Sequence, residues 1–269
     1  MHRDIVLIGS GNLATALGKK LLASGHRILQ VYSRDFDHAK ILAERLQAQA
    51  INQLDQINSH AQVYLICIKD DAIERLSQEL SKKLEADVII AHSSGVNSPD
   101  RIASYFTNRS LFYPLQTFSK FKELDWTHIP IFIEGSDEAK SILRPLAQSL
   151  SSQLYEMNDQ MRTHLHLASV FANNFSNYNL LAAKKILDIA QVPFEVLHSL
   201  MIETVDKAFR LDPINSQTGP AKRGDMQTIE KHIRLLVSEF PEYRSLYKKY
   251  SQIIEQTFKH ENSGADSTS

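Results

Sequence analysis

The segment IVLIGSGNLATALGKKL near the start constrains the fold of this chain more than any other. Ile5 to Ile8 form a short apolar run of the kind found in buried parallel strands. Leu13, Ala16, Leu17, Leu21 and Leu22 then recur at helical spacing, and Gly25 closes the helix. Between the two lies G-x-G-x-x-A, carried by Gly9, Gly11 and Ala14. Gly9 permits a tight turn, Gly11 leaves the backbone open to an approaching anion, and Ala14 lets the helix pack closely on the strand. A helix N-terminus offers free N–H groups and partial positive charge at that point. The plain alternative is a glycine-rich turn of some other α/β protein. The position of the motif at the head of the first β-α-β unit favours a dinucleotide pyrophosphate held by Gly9, Ser10, Gly11, Asn12 and Leu13.

The pattern continues in the same grammar. Strands are expected at Ile28 to Tyr32, Val63 to Ile68, Val88 to Ala91 and Ile131 to Ile133. Helices are expected over 36–47, with Ala39, Leu42, Ala43 and Leu46 on one side, and over 70–84. Alternating strands and helices imply parallel strands with right-handed crossovers, a doubly wound sheet over residues 1–155. After Tyr155 no strand signal recurs. Helices are expected over 159–190, closed by Pro193, and over 194–210, 225–239 and 241–259. The second domain, 156–260, is thus expected to be all-α, and 261–269 (ENSGADSTS) to be a disordered tail.

The second strand tip selects the nucleotide. NAD sites carry an acidic residue about 20 positions past the glycine motif, and here the chain reads VYSRDFD. Ser33 and Arg34 suit a 2′-phosphate, which favours NADP over NAD. The competing reading sets Asp35 on the ribose and gives NAD, and the bland one makes Arg34 a solvated surface residue. Two further strand ends face the same crevice by the rule for parallel sheets. One carries Ile68, Lys69 and Asp70; the other carries His92, Ser93, Ser94 and Gly95. His92 is either a proton donor or, with Ser93, the shaper of a polar loop beside the nicotinamide. Lys69 and Asp70 read equally as a surface charge and a helix cap. Cys67 reads as a buried packing residue.

Composition excludes several classes. The 30 Lys+Arg against 31 Asp+Glu give a net charge of -1, so nucleic acid is not the expected partner. One cysteine rules out an intrachain disulfide and a Cys-rich metal site. No run reaches the 18 or so apolar residues of a membrane helix, and the N-terminus lacks a signal peptide's apolar core. A cytoplasmic address is expected.

In the helical half, the stretch HLHLASVFANNFSNYNLLAA places Asn173 and Asn177 about 20° to either side of His166 at 100° per residue. A wet surface face is the plain explanation. Against it, Phe171, Ala172, Phe175, Leu180 and Leu181 flank the stripe, as in a helix covered by protein. In TGPAKRGDMQT, Gly219, Pro220 and Gly224 demand a special backbone path. Asp225 caps the next helix or, less simply, contacts a ligand. Arg223 suits a two-point clamp on a substrate carboxylate.

GSGNLA after the first strand, SRD, IKDDAI, AHSSGV, FYPLQTFS and GPAKRGD together resemble a family of Rossmann proteins with an appended helical domain. The family is labelled as NADP oxidoreductases of unspecified substrate. It is similar to pyrroline-5-carboxylate reductase and to the 6-phosphogluconate and 3-hydroxyisobutyrate dehydrogenases. The resemblance covers nearly the whole chain, the tail aside. It implies a homodimer through the helical domain and a small-molecule substrate between that domain and the nicotinamide. The hydroxyacid dehydrogenases use a lysine four residues before an asparagine on the long helix; here that position is Ser169, and the basic group is His166. The expectation is therefore an NADPH-dependent reductase of a small anionic C=O or C=N substrate. His166 would relay the proton, Asn173 and Asn177 orient the substrate, and Arg223 hold its carboxylate. A catalytically silent NADP-binding sensor or scaffold is the alternative, and deazaflavin-linked reduction of NADP a further one.

Overall fold

The computed structural model of the chain describes residues 2–119 and 123–262, with side chains as far as Lys259. From residue 263 onward, the expected tail lies outside the described residues. Two compact units divide the chain, Met1–Ser169 and Val170–Ser269. The division falls inside the long helical stretch, past the point near Tyr155 where the strand pattern stops.

Among the described residues the first unit contains eight strands: β1 (Asp4–Ile8), β2 (Arg27–Tyr32), β3 (Gln49–Ile51), β4 (Val63–Ile66), β5 (Ile89–His92), β6 (Asn108–Pro114), β7 (Ile131–Gly135) and β8 (Leu154–Glu156). They form one sheet in the order β3-β2-β1-β4-β5-β6-β7-β8. Helices α1 (Asn12–Ala23), α2 (Phe36–Leu46), α3 (Ile73–Leu80), α4 (Asp137–Leu150) and α5 (Asp159–Ser169) belong to the same unit. Alternate residues of β1 go to opposite faces, as the two-residue period of a strand requires. Ile5 and Leu7 join Leu17 and Leu21 of α1, Leu42 and Leu46 of α2, and Leu143 of α4. Val6 and Ile8 join Tyr64, Phe106 and Ile73 and Leu80 of α3. Both faces are therefore covered, which explains the continuous apolar runs of the central strands.

The expected doubly wound arrangement is present, with one departure from an all-parallel sheet. β6 pairs with β7 antiparallel, Pro114 opposite Ile131, and β8 then follows β7 in parallel. The last two strands run counter to the first six. The connection from Pro114 to Ile131 holds no crossover helix among the described residues, and a crossover of a dozen or more residues, usually helical, is what a parallel return needs.

The second unit begins with a π-helical turn, Val170–Phe175. It continues through α6 (Ser176–Ile189), α7 (His198–Leu211), α8 (Pro213–Ser216), α9 (Pro220–Arg223), α10 (Met226–Glu239) and α11 (Arg244–Asn262). A small core gathers Leu236, Phe240 and Tyr243, with Ala182, Ile186 and Tyr247 packed against it. Neither α6 nor α7 buries a single residue. The flanking residues expected to be covered are open: Phe171 is 61% exposed, Phe175 44% and Leu181 44%. The π turn also corrects the single 159–190 helix. Its wider turn breaks the constant 100° step that set His166, Asn173 and Asn177 on one stripe.

Candidate functional site

The glycine motif lies where β1 meets α1, and its two glycines serve different ends. Gly9 has φ +122°, and a Cβ there would sit 2.2 Å from the Cys67 carbonyl oxygen. Neither backbone nor neighbour tolerates a side chain. Gly11 has an ordinary φ of -74°, and a Cβ there would meet nothing within 4 Å. The protein itself therefore leaves the space above Gly11 free. Gly11 is the N-cap of α1, no side chain caps this helix, and its first turn carries no acidic residue. Elsewhere Asp35 caps α2, Ser136 caps α4 and Asp225 caps α10. The first N–H groups of α1, from Asn12 onward, are the ones left for an external anion. Gly11 and Asn12 are exposed, Ser10 and Leu13 half-buried. Ala14 is fully buried, and Gly18 adds to the close packing, since a Cβ there would strike Leu46 at 2.6 Å.

At the tip of β2, the Ser10 hydroxyl donates to the Ser33 hydroxyl at 3.1 Å, joining the glycine turn to the second strand. Asp35 Oδ1 accepts from the His38 amide at 3.1 Å, so its carboxylate serves as the cap of α2. The competing role on a ribose is thereby disfavoured. Arg34 is exposed, and among the described residues its guanidinium has no ion pair or hydrogen bond. Burial pushes the Tyr32 phenol up, and both Arg34 and Arg75 oppose that shift. Two guanidinium groups thus act on one strand tip, and Arg75 of α3 was not singled out from sequence. These groups suit a dinucleotide carrying a 2′-phosphate: an open cradle at Gly11, an uncapped helix and unpaired arginine beside Ser33.

At the ends of β4 and β5 the expectations divide. Ile68 is half-buried, and Lys69 and Asp70 are exposed. Lys69 precedes a 3-10 turn without capping it through its side chain. Cys67 is buried, and burial pushes its thiol up to about 12, as for a packing residue. His92 is fully buried. Its Nδ1 accepts from the Ser94 amide at 3.1 Å, and its Nε2 donates to the Ser98 carbonyl at 2.9 Å. Burial holds its pKa below the usual histidine range. Both ring nitrogens are engaged with backbone, so His92 shapes the loop; the proton-donor reading and a direct side-chain contact with a cofactor do not fit. The Ser93 hydroxyl donates to the Ile66 carbonyl at 3.2 Å, the same architectural task.

The first helix after the sheet adds a group that sequence reasoning left out. Arg162 of α5 is 1% exposed and pairs with Glu134 of β7 and with Asp159. Its Nε also donates to the Val96 carbonyl at 3.3 Å. It ties α5 to the sheet and to the loop after β5. His166 lies one helical turn further on, and its buried Nδ1 has no hydrogen-bond partner among the described residues. The i, i+4 spacing was available in the sequence as a signal. In the second unit, Asn173 and Asn177 are exposed, on the π turn and on α6. Arg223 ends α9 and is exposed. Gly219 and Gly224 have φ of +109° and +68°, the special path their spacing demanded. Asp225 caps α10 through the Thr228 amide and hydroxyl at 3.1 and 2.7 Å.

Comparison with known proteins agrees with this geometry. Residues 4–95 match the family model for NADP oxidoreductase, coenzyme F420-dependent, and residues 129–254 match a domain of unknown function, DUF2520. A search among curated proteins finds no match. Among solved structures, a Bacteroides fragilis protein described as a "putative NADP oxidoreductase" is 37% identical, covering 95% of this chain and 98% of that one, with a TM-score of 0.89. An imine reductase from Myxococcus stipitatus in complex with NADP+ is 15% identical over 96% and 94% of the two chains, with a TM-score of 0.70. A pyrroline-5-carboxylate reductase from Coxiella burnetii is 15% identical over 96% and 98%, with a TM-score of 0.58. These last two share the fold; the sequence resemblance points to pyrroline-5-carboxylate reductase but not to the imine reductase. Among the described residues no helix is long and apolar enough to cross a membrane. The chain belongs to the family of NAD(P)-dependent oxidoreductases in which an NADP oxidoreductase domain precedes a DUF2520 domain.

Proposed function

We propose that this oxidoreductase transfers a hydride from NADPH to a small anionic C=O or C=N substrate in the cytoplasm. The observation that carries the reading is the open, uncapped N-terminus of α1 above Gly11. Gly9, Ser10, Gly11, Asn12 and Leu13 hold the pyrophosphate, and Ser33 and Arg34 hold the 2′-phosphate. Ile68, Lys69 and Asp70 line the nucleotide side, and His92 and Ser93 fix the loop beside them. When bound, the nicotinamide supplies the hydride. His166 moves the proton that accompanies it, Asn173 and Asn177 orient the substrate, and Arg223 holds its carboxylate. Residues 1–155 form the nucleotide domain in this reading, and 156–260 the substrate and dimerisation domain. The homodimer is supported by the apolar side chains that α6 and α7 leave open, among them Leu200 at 61% and Phe209 at 90% exposure.

The test is a calorimetric titration with NADPH and NADH, followed by nicotinamide absorbance with 2-oxo acids and cyclic imines. A parallel arm replaces the substrate with a reduced deazaflavin and NADP. NADPH should bind roughly tenfold more tightly than NADH, the lower end for charged hydrogen bonds because Arg34 is exposed. Arg34→Ala should erase the difference. Binding of neither coenzyme, or equal binding of both, overturns the reading. Turnover only with the deazaflavin replaces the substrate class.

A further inference from the structure

The loop after β5 brings Gly95 against two polar groups that no element of the nucleotide site uses. A Cβ built on Gly95 would lie 2.8 Å from both Cζ and Oη of Tyr113 and 3.0 Å from Nδ1 of His166. Gly95 is not among the left-handed glycines. Space, not backbone conformation, is what excludes a side chain there. The Tyr113 hydroxyl and His166 Nδ1 therefore both close on Gly95 and lie near one another without bonding each other. Nδ1 is buried and has no partner among the described residues, a costly state for a buried nitrogen. Both groups are held from behind. Tyr113 lies in the cluster of Leu111, Phe132 and Met157, its ring 6.5 Å from that of Phe132. His166 is set by the Arg162 anchor on the same helix.

We propose that Tyr113 is a catalytic residue, forming with His166 an acid pair over Gly95 that receives the heteroatom of the reduced C=O or C=N bond. The inference rests on the oxidoreductase reading above. As the carbon gains a hydride with its electron pair, the π pair of the double bond moves to the oxygen or nitrogen. That atom forms its new bond to the Oη proton, and the Oη–H bond breaks to leave a phenolate. A proton from His166 Nδ1 restores the phenol, and the imidazole regains one from solvent. Burial and the charge of Asp70 both push the Tyr113 phenol up, which keeps it protonated and able to donate. The bare Gly95 is what lets donor and relay come this close to the loop after β5 and to each other.

Tyr113→Phe and Gly95→Ala in the full chain test this. The probe for binding is oxamate, a carboxylate with an unreactive carbonyl, titrated into the NADPH-loaded protein. Oxamate affinity should fall about 10-fold in Tyr113→Phe, the upper end for loss of one neutral hydrogen bond, and be abolished in Gly95→Ala. NADPH affinity should stay within about 2-fold in both, since neither residue touches the glycine turn or the β2 tip. On whichever 2-oxo acid or cyclic imine the wild type reduces, kcat of Tyr113→Phe should fall at least about 100-fold, the size of a general-acid contribution. Oxamate that fails to bind wild type, or binds both variants equally well, overturns the acid pair. So does a Tyr113→Phe kcat within about 3-fold of wild type. Should Gly95→Ala not fold, Tyr113→Phe alone decides, because it keeps the ring. If the wild type binds no coenzyme, the oxidoreductase reading has failed; if it binds and turns over but Tyr113→Phe does likewise, only the acid pair has.

Discussion

Gly9 and Gly11 stand two residues apart in one motif, yet replacing each by alanine should have opposite consequences. At Gly9 the backbone has φ +122°, and the new Cβ would lie 2.2 Å from the carbonyl oxygen of Cys67, just past the adjoining strand β4. The strained conformation costs about 1–2 kcal/mol and the overpacking about 1–3 kcal/mol. Together they place Gly9→Ala roughly 2–5 kcal/mol below wild type. At 2–4 °C per kcal/mol for a domain of this size, the melting temperature drops by roughly 4–20 °C. At Gly11 the backbone is ordinary and the space empty. Loss of a glycine N-cap costs a few tenths to about 1 kcal/mol, and the stiffer unfolded chain returns about 0.4–1 kcal/mol. Gly11→Ala should melt within about 2 °C of wild type. Its methyl, however, occupies the approach of the phosphates, so NADPH affinity should fall by at least about 100-fold. Differential scanning calorimetry and NADPH titration on the two variants read both quantities. A Gly11→Ala protein that binds NADPH like wild type would falsify the placement of the pyrophosphate; a Gly9→Ala protein that melts like wild type would contradict the packing of the turn on β4.

Other outcomes follow from single features. Removing the Arg162 guanidinium strands Glu134, whose carboxyl is 19% exposed; Arg162→Ala should cost about 3 kcal/mol, the low end for a broken buried pair, seen as a lower melting temperature with NADPH binding retained. A shift under about 2 °C refutes the anchoring role. Burial depresses the folded-state pKa of His92 and of His26. The unfolded chain then binds more protons than the folded one below about pH 6.5, so stability is full above that value and declines as pH falls through it. His92→Gln should flatten this slope in denaturant titrations at pH 5 to 7; an unchanged slope assigns it elsewhere. Phe209 is 90% exposed, and Phe209→Asp should weaken self-association by roughly 30-fold or more in sedimentation, as for an aromatic interface centre. A wild type that sediments as a monomer at all concentrations removes the dimer.

The fold was legible where burial imposes a simple period. β1, β4 and β5 are covered on both faces, so they read as unbroken apolar runs, and β2 is interrupted only by Gln30. Ala39, Leu42, Ala43 and Leu46 of α2 fell on one side, and all four are buried. α4 was not read because Pro145 stands in the middle of it and ordinarily marks a helix break. β3 has three residues at the sheet edge, too short for any period, and β6 mixes Asn108, Arg109 and Pro114 with its apolar residues. The reversal of β7 depends on long-range pairing that no local pattern records. The tight turn at Gly9 and the place of Ser33 and Arg34 just past β2 were legible because both follow from local sequence. Tyr113 and Arg162 were not, since each is brought to its place by contacts far along the chain. The π turn at 170–175 carries no spacing signature, so a constant helical step misplaced the asparagines.

Arg162 meets Glu134 low on β7, while His166 reaches the level of Tyr113, which pairs across to Phe132 two residues earlier on that strand. Four residues of helix advance about 6 Å and two of strand about 6.6 Å. Because β7 descends, α5 ascends beside it in step, like marks on two rulers laid side by side. Sliding this helix by one turn would present a different residue above Gly95 and leave the glycine turn at the far strands untouched. If the acid pair is where the substrate reacts, such a slide would change the group offered to the substrate without touching the turn at Gly9 and Gly11.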